Sequence, residues 1–441
     1  MGARDTICAL ASGPPPSAIA IIRISGPGVA EVGAKLLASG LPEPRRAVLT
    51  HIHDLSGDLI DQGIALHARG PGSYTGEDTL ELYLHGGPAV IDHALRALTS
   101  FPGVRLAEPG EFTRRAFEAG KLDLTEAEGI ADIIEAETVA QKAQALRQLG
   151  GGLTRIYDGW REELTGILAL IEVMIDFPDE GDVPEDTLRP ILGKLDAVIK
   201  DMESAIGDRS VGERIRDGFR VAIVGPPNAG KSSILNRLAR REAAIVTDIA
   251  GTTRDVVEVR LILAGQVVWI ADTAGLRETD DVVEAEGVRR ARRAALEADL
   301  RIHVIDGASP SPPPEQVAAH DMIVFNKADR RLPGEVPEGA LAVSTLTGEG
   351  LAELEARIAT FISGRAASVE APVITRARHR EKLAAGLASL AAARTALDAD
   401  IGAELAAEDV RMALRHLASV IGRIDVEDVL GAVFSKFCIG K

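Results

Sequence analysis

Eight consecutive residues near the middle of the chain have the pattern of a phosphate-binding loop. Residues 225–232 read Gly-Pro-Pro-Asn-Ala-Gly-Lys-Ser, which is Gly-x-x-x-x-Gly-Lys-Ser. The apolar run Val221–Val224 before them predicts a buried strand, and the helix-compatible stretch Ser233–Leu238 follows. In such a loop the glycines let backbone N–H groups close around phosphate oxygens, Lys231 neutralises the outer phosphates, and Ser232 ligates Mg2+. We therefore expect a nucleoside triphosphate to bind here.

Two later motifs each follow an apolar run that predicts a strand. Asp272-Thr273-Ala274-Gly275 follows Val267–Ala271, where a carboxylate would hold Mg2+ through water and a glycine N–H would contact the γ-phosphate. Asn326-Lys327-Ala328-Asp329 follows Met322–Phe325. The Asp329 carboxylate can accept two N–H bonds from the edge of guanine, which adenine cannot supply. At roughly 1.5–3 kcal/mol per charge-assisted bond, the pair gives about hundredfold discrimination or more, so we predict GTP and GDP as ligands.

The motifs do not fix the residue that would orient the attacking water. Leu276 stands directly after Gly275, where Ras-type enzymes place a glutamine for that purpose. Leucine has no polar group, so hydrolysis needs another side chain. The acidic segment that follows offers several, and the residues alone leave the choice open among Glu278, Asp280, Asp281, Glu284 and Glu286.

A segment upstream is rich in small and hydroxyl-bearing residues. It reads Thr247-Asp248-Ile249-Ala250-Gly251-Thr252-Thr253-Arg254-Asp255, a composition that suits a loop wrapping a nucleotide. A threonine hydroxyl in such a loop can complete the Mg2+ shell when a γ-phosphate is present. Asn228, inside the phosphate loop, can offer its amide oxygen to a cation beside the phosphates.

Composition restricts the classes of protein to consider. The chain has 441 residues, 46% of them hydrophobic, which predicts two to four domains with their own cores. Its 49 basic and 66 acidic residues give a net charge of −17, which argues against a broad basic surface that grips nucleic acid. The two cysteines, Cys8 and Cys438, predict a reducing, cytoplasmic environment without a disulfide framework. No apolar run reaches the roughly 18 residues that predict a membrane span.

Hydrophobic patterns divide the chain into three parts. Residues 1–118 have the mixed pattern of an α+β domain, with predicted strands at Ile19–Ile24, Ile60–Leu66 and Thr79–Leu84 and predicted helices at Val29–Ala38 and Ala89–Leu98. We interpret residues 119–213 and 376–441 as one discontinuous all-α domain, with an α/β nucleotide domain, residues 214–375, inserted in it. Two unrelated helical segments are the alternative. Three glycines, 150–152, are expected to weaken or bend a helix.

Spacing alone gives little support for a functional role of four residues outside the nucleotide domain. Arg23 interrupts an apolar strand, Glu81 alternates with leucines, and Lys121 lies in a polar helical stretch, so the pattern favours strand-edge and helix-surface charges. Cys438 is by type a small buried apolar residue, and the Gly-Lys ending does not fit prenylation.

Taken together, these segments resemble the MnmE family of tRNA-modification GTPases, from Asp5-Thr6-Ile7 to the last residue. The most specific signals are Asn228 to Ser233, Thr247 to Asp255, Phe177-Pro178-Asp179-Glu180 and Phe437-Cys438-Ile439-Gly440-Lys441. The resemblance implies a multidomain fold with an α+β N-terminal folate-binding-like and dimerisation domain, an all-α helical domain and an inserted Ras-like α/β P-loop GTPase domain. Ser344-Thr345 replaces the Ser-Ala that usually forms the last base contact, where a backbone N–H can approach guanine O6.

The resemblance also implies an activity and partners. Family members are GTPases that depend on K+ and on pairing of two nucleotide domains in a homodimer. With the flavoprotein MnmG, in a heterotetramer, they install a carboxymethylaminomethyl or aminomethyl group at C5 of the tRNA wobble uridine. The one-carbon source is 5-formyl- or methylene-tetrahydrofolate, and tRNA is held mainly through the complex. Arg23, Glu81, Lys121 and Lys441 match the folate site, and Cys438 matches a residue needed for modification.

Within the nucleotide site the resemblance implies further roles. Ser232 and Thr253 match the Mg2+ ligands. K+ would lie by Asn228 and the carbonyls of Thr247 and Ile249, with Thr252 closing the site, and its charge would substitute for an arginine finger. Glu284 matches the residue that holds the attacking water through another water. The other residues of the predicted GTP site are Ala229, Gly230, Lys231, Ser233, Asp248, Ala250, Gly251, Asp272, Thr273, Ala274, Gly275, Asn326, Lys327, Asp329 and Ser344.

Two other classes of GTPase are alternatives. A ribosome-assembly GTPase would be favoured by a Gly-x-x-Gly RNA module after the nucleotide domain, and none is evident in the sequence. A membrane-associated GTPase would need spans or a basic amphipathic helix, and neither is evident. Normal wobble uridine in the tRNA of a deletion strain would favour the ribosome-assembly class.

Overall fold

The computed structural model describes most of the chain. The described residues are 5–176, 188–207, 211–241, 257–272, 293–309, 317–330, 336–367, 374–399, 402–424, 427–435, 437, 439 and 440. They form two compact units. Unit 1 consists of Met1–Ala131, Gln148–Ala169 and Val410–Lys441, and unit 2 of Asp132–Arg147 and Leu170–Asp409. The three-domain boundaries expected from the sequence stay predictions.

Unit 1 contains a six-stranded sheet with the order β3-β4-β5-β2-β1-β6, in which only the pair β1–β6 is parallel. Because successive side chains alternate between faces, Ile22, Ile24, Leu80 and Leu82 lie in one core with helices α1 and α2. The elements are β1 Thr6–Leu10, β2 Ser17–Ser25, α1 Val29–Leu36, β3 Ala47–His53, β4 Leu59–Ala68, β5 Thr79–Gly86, α2 Pro88–Thr99 and β6 Val104–Leu106.

Four helices follow the sheet in the sequence: α3 Glu111–Glu118, α4 Leu124–Glu135, α5 Val139–Leu149 and α6 Gly152–Asp176. The glycines at 150–152 do more than bend a helix, because α5 ends before them and α6 begins at the last of them. A second break separates α4 from α5. There Thr138 and Gln141 form a capping box: the Gln141 N–H donates to Thr138 Oγ1 at 3.2 Å, and Gln141 Oε1 accepts from the Thr138 N–H at 3.1 Å.

Unit 2 contains a second six-stranded sheet with the order β12-β11-β10-β7-β9-β8, in which only the pair β8–β9 is antiparallel. Its apolar faces share one core with helices α9 and α10, as expected for a parallel sheet buried on both sides. The strands are β7 Phe219–Val224, β8 Val257–Leu263, β9 Gln266–Asp272, β10 Leu300–Asp306, β11 Met322–Asn326 and β12 Leu341–Ala342, and the helices are α9 Lys231–Arg241 and α10 Leu351–Ala367.

The remaining helices are α7 Leu188–Gly207, α8 Val211–Asp217, α11 Ala377–Asp398, α12 Ala403–Ile421 and α13 Glu427–Phe434. In unit 2, α7 packs against α11. The carboxylate of Asp132 accepts from both Arg216, at 2.8 Å, and Arg376, at 2.6 Å. Arg216 precedes β7 and Arg376 follows α10, so one carboxylate holds both ends of the nucleotide-binding segment. No helix in the described ranges has the length and apolar character needed to cross a bilayer.

Candidate functional site

The phosphate-loop motif connects β7 to α9, in the strand–loop–helix context that its sequence predicts. Gly225 has φ of +148° and Gly230 has φ of +92°, which side chains rarely adopt. A Cβ atom at Gly225 would overlap the Val304 carbonyl oxygen, and one at Gly230 would overlap the amide of Asn326. A side chain at either position would clash with a neighbouring residue and would need an unfavourable positive φ, so both positions require glycine.

Lys231 is buried at the start of α9, and its ammonium group lies over the loop. Its Nζ donates to the carbonyl oxygens of Gly225, at 2.9 Å, and Pro226, at 3.0 Å. Burial lowers the pKa of Lys231, and the nearby Asp272 carboxylate opposes that shift. The amine is therefore held inside the loop by weak, exchangeable acceptors.

Ser232 and Asp272 come from different elements and meet through a hydrogen bond, in which Ser232 Oγ donates to Asp272 Oδ2. Asp272 ends β9, next to β7, and is 4% exposed. A hydroxyl and a carboxylate side by side form the hard-oxygen donor pair that Mg2+ prefers. These two residues therefore fit the metal that the sequence assigns to them.

The Asn-Lys-Ala-Asp motif follows β11 and contacts the phosphate loop. The fully buried Asn326 donates from Nδ2 to the Ala229 carbonyl oxygen at 2.8 Å. Lys327 Nζ pairs with Asp306 Oδ2 at 2.6 Å, and that hydrogen bond lowers the pKa of Asp306. The motif is thereby joined to the phosphate loop on one side and to β10 on the other.

Asp329 is oriented by a residue from the next loop. Ser344 Oγ donates to Asp329 Oδ1 at 2.6 Å, and Ser344 is fully buried. The predicted site residues of the nucleotide domain lie at or just after the ends of the parallel strands β7, β9, β11 and β12, so they share the carboxyl edge of the sheet. These residues are Asn228, Lys231, Ser232, Asp272, Asn326, Asp329 and Ser344. Ligands of open α/β sheets bind at this edge.

Several predicted site residues lie outside the described residues, and their roles stay predictions. They are Thr247, Asp248, Ile249, Ala250, Gly251, Thr252 and Thr253 in the upstream loop, Thr273, Ala274 and Gly275 after β9, Glu284 in the acidic segment, and Cys438 and Lys441 in the tail. Asn228 is described, with φ of +63° and an exposed side chain in the phosphate loop.

A second constellation lies in unit 1, where Arg23 and Glu81 are cross-strand partners on β2 and β5. Arg23 Nε donates to Glu81 Oε1 at 2.9 Å, and the Tyr83 hydroxyl donates to Glu81 Oε2 at 2.9 Å. The Arg23 guanidinium also lies 5.4 Å from the centre of the Tyr74 ring. The expectation of strand-edge charges is wrong, because both strands are in the middle of the sheet.

The expectation that Lys121 is a helix-surface charge is also wrong, because Lys121 lies after the end of α3 and before α4. Its Nζ donates to the Pro71 carbonyl oxygen at 2.6 Å and to the Ser73 carbonyl oxygen. Ser73 and Tyr74 belong to the connection between β4 and β5. The connection that holds Lys121 therefore also carries the Tyr74 ring that lies against Arg23.

The β4–β5 connection is held by buried charges that sequence reasoning missed. Arg115, which is 5% exposed, donates to Glu77 Oε2 at 2.9 Å and to Glu111 Oε1 at 3.3 Å. Arg105 donates to both oxygens of Glu111, at 2.6 and 2.8 Å. Burial alone would raise the pKa of Glu111, but hydrogen bonds from Arg105 and a backbone N–H hold it at about 2. The sequence signal is a stretch, residues 105–118, that is dense in charges of both signs.

The described residues of the tail pack within unit 1. Phe434 and Phe437 share a cluster with Leu124, and a Cβ atom on Gly440 would overlap the Leu10 carbonyl oxygen at the end of β1. The tail thus reaches the sheet that carries Arg23. The other cysteine, Cys8, is buried, and burial raises its pKa to about 12, so its thiol stays protonated.

Comparison with known proteins adds independent findings. Two family models match, one described as the GTP-binding protein TrmE N-terminus, over residues 6–121, and one as the MnmE helical domain, over residues 124–438. The tRNA modification GTPase MnmE of Hyphomonas neptunium is 82% identical over 441 residues, which is 100% of both chains. That of Parvibaculum lavamentivorans is 51% identical over 440 residues, 99% of this chain and 100% of the relative.

Among solved structures, the G domain of the T. maritima FeoB iron transporter aligns with 32% of this chain and 98% of its own, at 23% identity and a TM-score of 0.26. At that score the likeness supports no inference.

Proposed function

The chain belongs to the MnmE family of tRNA modification GTPases, and from that premise we propose how its residues serve GTP hydrolysis and tRNA modification. As a member it is a GTP hydrolase. We propose that hydrolysis depends on K+ and on pairing of two nucleotide domains. We further propose that the chain acts with MnmG to install a carboxymethylaminomethyl or aminomethyl group at C5 of the tRNA wobble uridine, using a one-carbon tetrahydrofolate.

One observation carries the nucleotide part of the proposal: Lys231, Ser232, Asp272 and Asp329 meet at the carboxyl edge of one parallel sheet. The phosphates of GTP would replace the Gly225 and Pro226 carbonyls as acceptors for Lys231, which gains a stronger, charged partner. Ser232 and Asp272 would hold Mg2+, Ser232 directly and Asp272 through water. Bound there, Mg2+ would neutralise negative charge on the phosphates.

The chain must also place a water opposite the leaving oxygen. We propose Glu284 for this role, acting through a second water, because Leu276 cannot accept or donate a hydrogen bond. The exposed Asn228 amide in the phosphate loop supports the assignment of a cation beside the phosphates. We propose Thr247, Ile249, Thr252 and Thr253 as the residues that complete the two metal sites.

For the one-carbon carrier we propose the constellation in unit 1. Glu81 offers acceptor oxygens that suit the N–H edge of a pterin, and Arg23 and Lys121 offer donors that suit the carboxylates of a folate tail. The Tyr74 ring under Arg23 supplies a flat apolar surface. The packing of Gly440 against Leu10 supports a place for Lys441 and Cys438 near this site. Cys438 would serve the modification step.

The charge of the chain bears on its partners. With a net charge of −17, it needs help to hold an RNA polyanion, so we propose that MnmG supplies much of the contact to tRNA in a cytoplasmic complex. GTP turnover would act as a gate, because binding free energy shifts the nucleotide domains between separate and paired states.

The proposal is tested by nucleoside analysis of tRNA from a strain lacking the gene, complemented with the intact chain or with Arg23→Met. The intact chain should restore the modified wobble uridine. Arg23→Met should leave the uridine unmodified while the purified variant still hydrolyses GTP. Normal modification in the deletion strain would contradict the tRNA assignment and favour ribosome assembly.

A further inference from the structure

Arg237 on α9 contacts the loop that follows Ser344. Its Nε donates to the Thr345 carbonyl oxygen at 2.8 Å, and its Nη2 donates to the Leu346 carbonyl oxygen at 3.2 Å. The helix that begins at the phosphate-loop lysine is therefore tied directly to the loop whose serine orients Asp329.

Hydrogen bonds hold each peptide group of this loop. The Ser344 carbonyl oxygen accepts from the Gly348 N–H at 2.8 Å, and the Thr347 N–H donates to Ser344 Oγ at 3.2 Å. The peptide between Thr345 and Leu346 is held only by Arg237, through its carbonyl oxygen, as far as the described residues go. Within those residues, the N–H groups of Thr345 and Leu346 have no acceptor. The loop thus presents two adjacent backbone donors.

These donors border a pocket that adjoins the proposed nucleotide site. The pocket has a volume of about 350 Å³. Helix α9 and the loop line it from two sides, through Ser233, Asn236, Arg237, Arg240, Thr345 and Leu346. Ser233 directly follows the proposed Mg2+ ligand, and Thr345 directly follows the serine that orients Asp329. The pocket therefore lies against the loop that carries the two backbone donors, next in sequence to residues of the proposed nucleotide site.

We propose that Arg237 is a positioning residue for guanine recognition: by binding the Thr345 carbonyl oxygen it sets the direction of the Leu346 N–H in the same peptide group, so that this N–H donates to the O6 atom of the base. The peptide group is planar and trans, so fixing its carbonyl oxygen also fixes its N–H on the opposite side. The planar guanidinium can serve two neighbouring oxygens at once, whereas a lysine ammonium is a single point donor. The inference deepens the proposed guanine site and rests on it.

The test compares the full chain with Arg237→Met, Arg237→Lys and the control Arg357→Met, which removes an arginine outside the pocket that also donates to a backbone carbonyl oxygen, that of Gly339 at 2.9 Å. Affinities for GDP, inosine diphosphate and 6-thioguanosine diphosphate are measured by displacement of a fluorescent GDP analogue. Inosine keeps O6 and loses the 2-amino group. The thio analogue keeps both N–H groups that Asp329 would read, but replaces O6 with sulfur, a weak acceptor.

Arg237→Met should weaken GDP and inosine diphosphate by the same factor, about tenfold, and leave the thio analogue nearly unaffected. The affinities of Arg237→Lys should lie between those of Arg237→Met and the intact chain, and Arg357→Met should bind all three nucleotides as the intact chain does. Equal loss for all three nucleotides, or no loss for any, would overturn the role of Arg237 while leaving the guanine site in place. If the intact chain bound ADP as tightly as GDP, the guanine site itself would be wrong and this inference with it.

Discussion

The hydroxyl of Ser344 donates to the Asp329 carboxylate at 2.6 Å, although the two residues follow different strands. Ser344 is fully buried, and its own N–H donates to the Glu349 carbonyl oxygen at 2.9 Å, so the hydroxyl is held by a fixed backbone. The bond occupies one side of Asp329 Oδ1 and fixes the rotation of the carboxylate. The remaining lone pairs of the carboxylate stay available for the contacts that we propose it makes to guanine.

Asp329→Asn should lower GTP affinity about a hundredfold or more, because an amide accepts at only one atom and its N–H₂ faces the donors of guanine. The same change should improve binding of xanthosine triphosphate, whose 2-oxo group accepts from the new amide. Competition binding with the full chain measures both. Asp321→Asn, an aspartate that pairs with Arg301 and His303 at the start of β11, serves as a control. Unchanged GTP affinity in Asp329→Asn would show that Asp329 does not read the base.

Arg23→Met should weaken binding of 5-formyl-tetrahydrofolate by about tenfold or more, since a charge-assisted contact is removed from the proposed folate site. Calorimetric titration of the full chain measures this, with Arg46→Met as the control. Arg46 also forms an ion pair, with Glu43 at 3.2 Å, but lies on the exposed surface. GTP hydrolysis should be the same in both variants. Equal folate binding by the two variants would remove Arg23 from the site.

Glu111 should make unit 1 sensitive to acid. Its folded-state pKa of about 2 lies below the ordinary glutamate value of 4.5, so its contribution to stability is complete above about pH 5 and is lost as the pH falls toward 2. The contribution is roughly 2–3 kcal/mol. In a Trp269→Phe background the remaining tryptophan, Trp160, reports unit 1 in urea titrations. Glu111→Gln should lower the free energy of unfolding of unit 1 at pH 7 and should make it less dependent on pH. An unchanged dependence on pH between 5 and 2 would show that Glu111 is not the group responsible.

Asp132→Asn should destabilise unit 2 by roughly 2 kcal/mol, because the carboxylate that accepts from Arg216 and Arg376 loses its charge. The Asp132 side chain is only 8% exposed, so water cannot readily replace its carboxylate as the partner of the two arginines. Trp269, in a Trp160→Phe background, reports unit 2 in urea titrations. Asp398→Asn, whose side chain is 63% exposed in an ion pair with Arg394, is the control. Equal midpoints for the two variants would contradict a stabilising role for Asp132.

The phosphate-binding strand, loop and helix were predictable because each has a strong local signal. The Val221–Val224 run, the glycines and Lys231 act within a few residues of each other, and the structure places them as the pattern indicates. The family resemblance was likewise confirmed, since both family models match. Strands β1, β3 and β6 of unit 1 and strands β8, β10 and β12 of unit 2 were not predicted. β3 is an edge strand with exposed positions, and β6 and β12 have only three and two residues, so these three show no clear apolar pattern.

The contacts that depend on long-range packing were not predictable. Arg23 and Glu81 are 58 residues apart and pair only because β2 and β5 are neighbours in the sheet. The Arg115–Glu77 and Arg216–Asp132 ion pairs likewise join residues that are distant in the sequence and meet only in the folded chain. The break before α5 was predictable in principle, because Thr138 and Gln141 have the spacing of a capping box.

We propose that hydrolysis requires two nucleotide domains paired around a monovalent cation, and a turnover assay in two salts distinguishes this mechanism from hydrolysis that needs no such cation. GTP turnover of the full chain is measured in K+ or Na+ over a range of protein concentrations. We expect turnover per molecule in K+ to rise with protein concentration until the domains are paired, or to be already maximal if the dimer is permanent, and to be at least about tenfold lower in Na+. Equal turnover in the two salts would show that hydrolysis does not depend on K+.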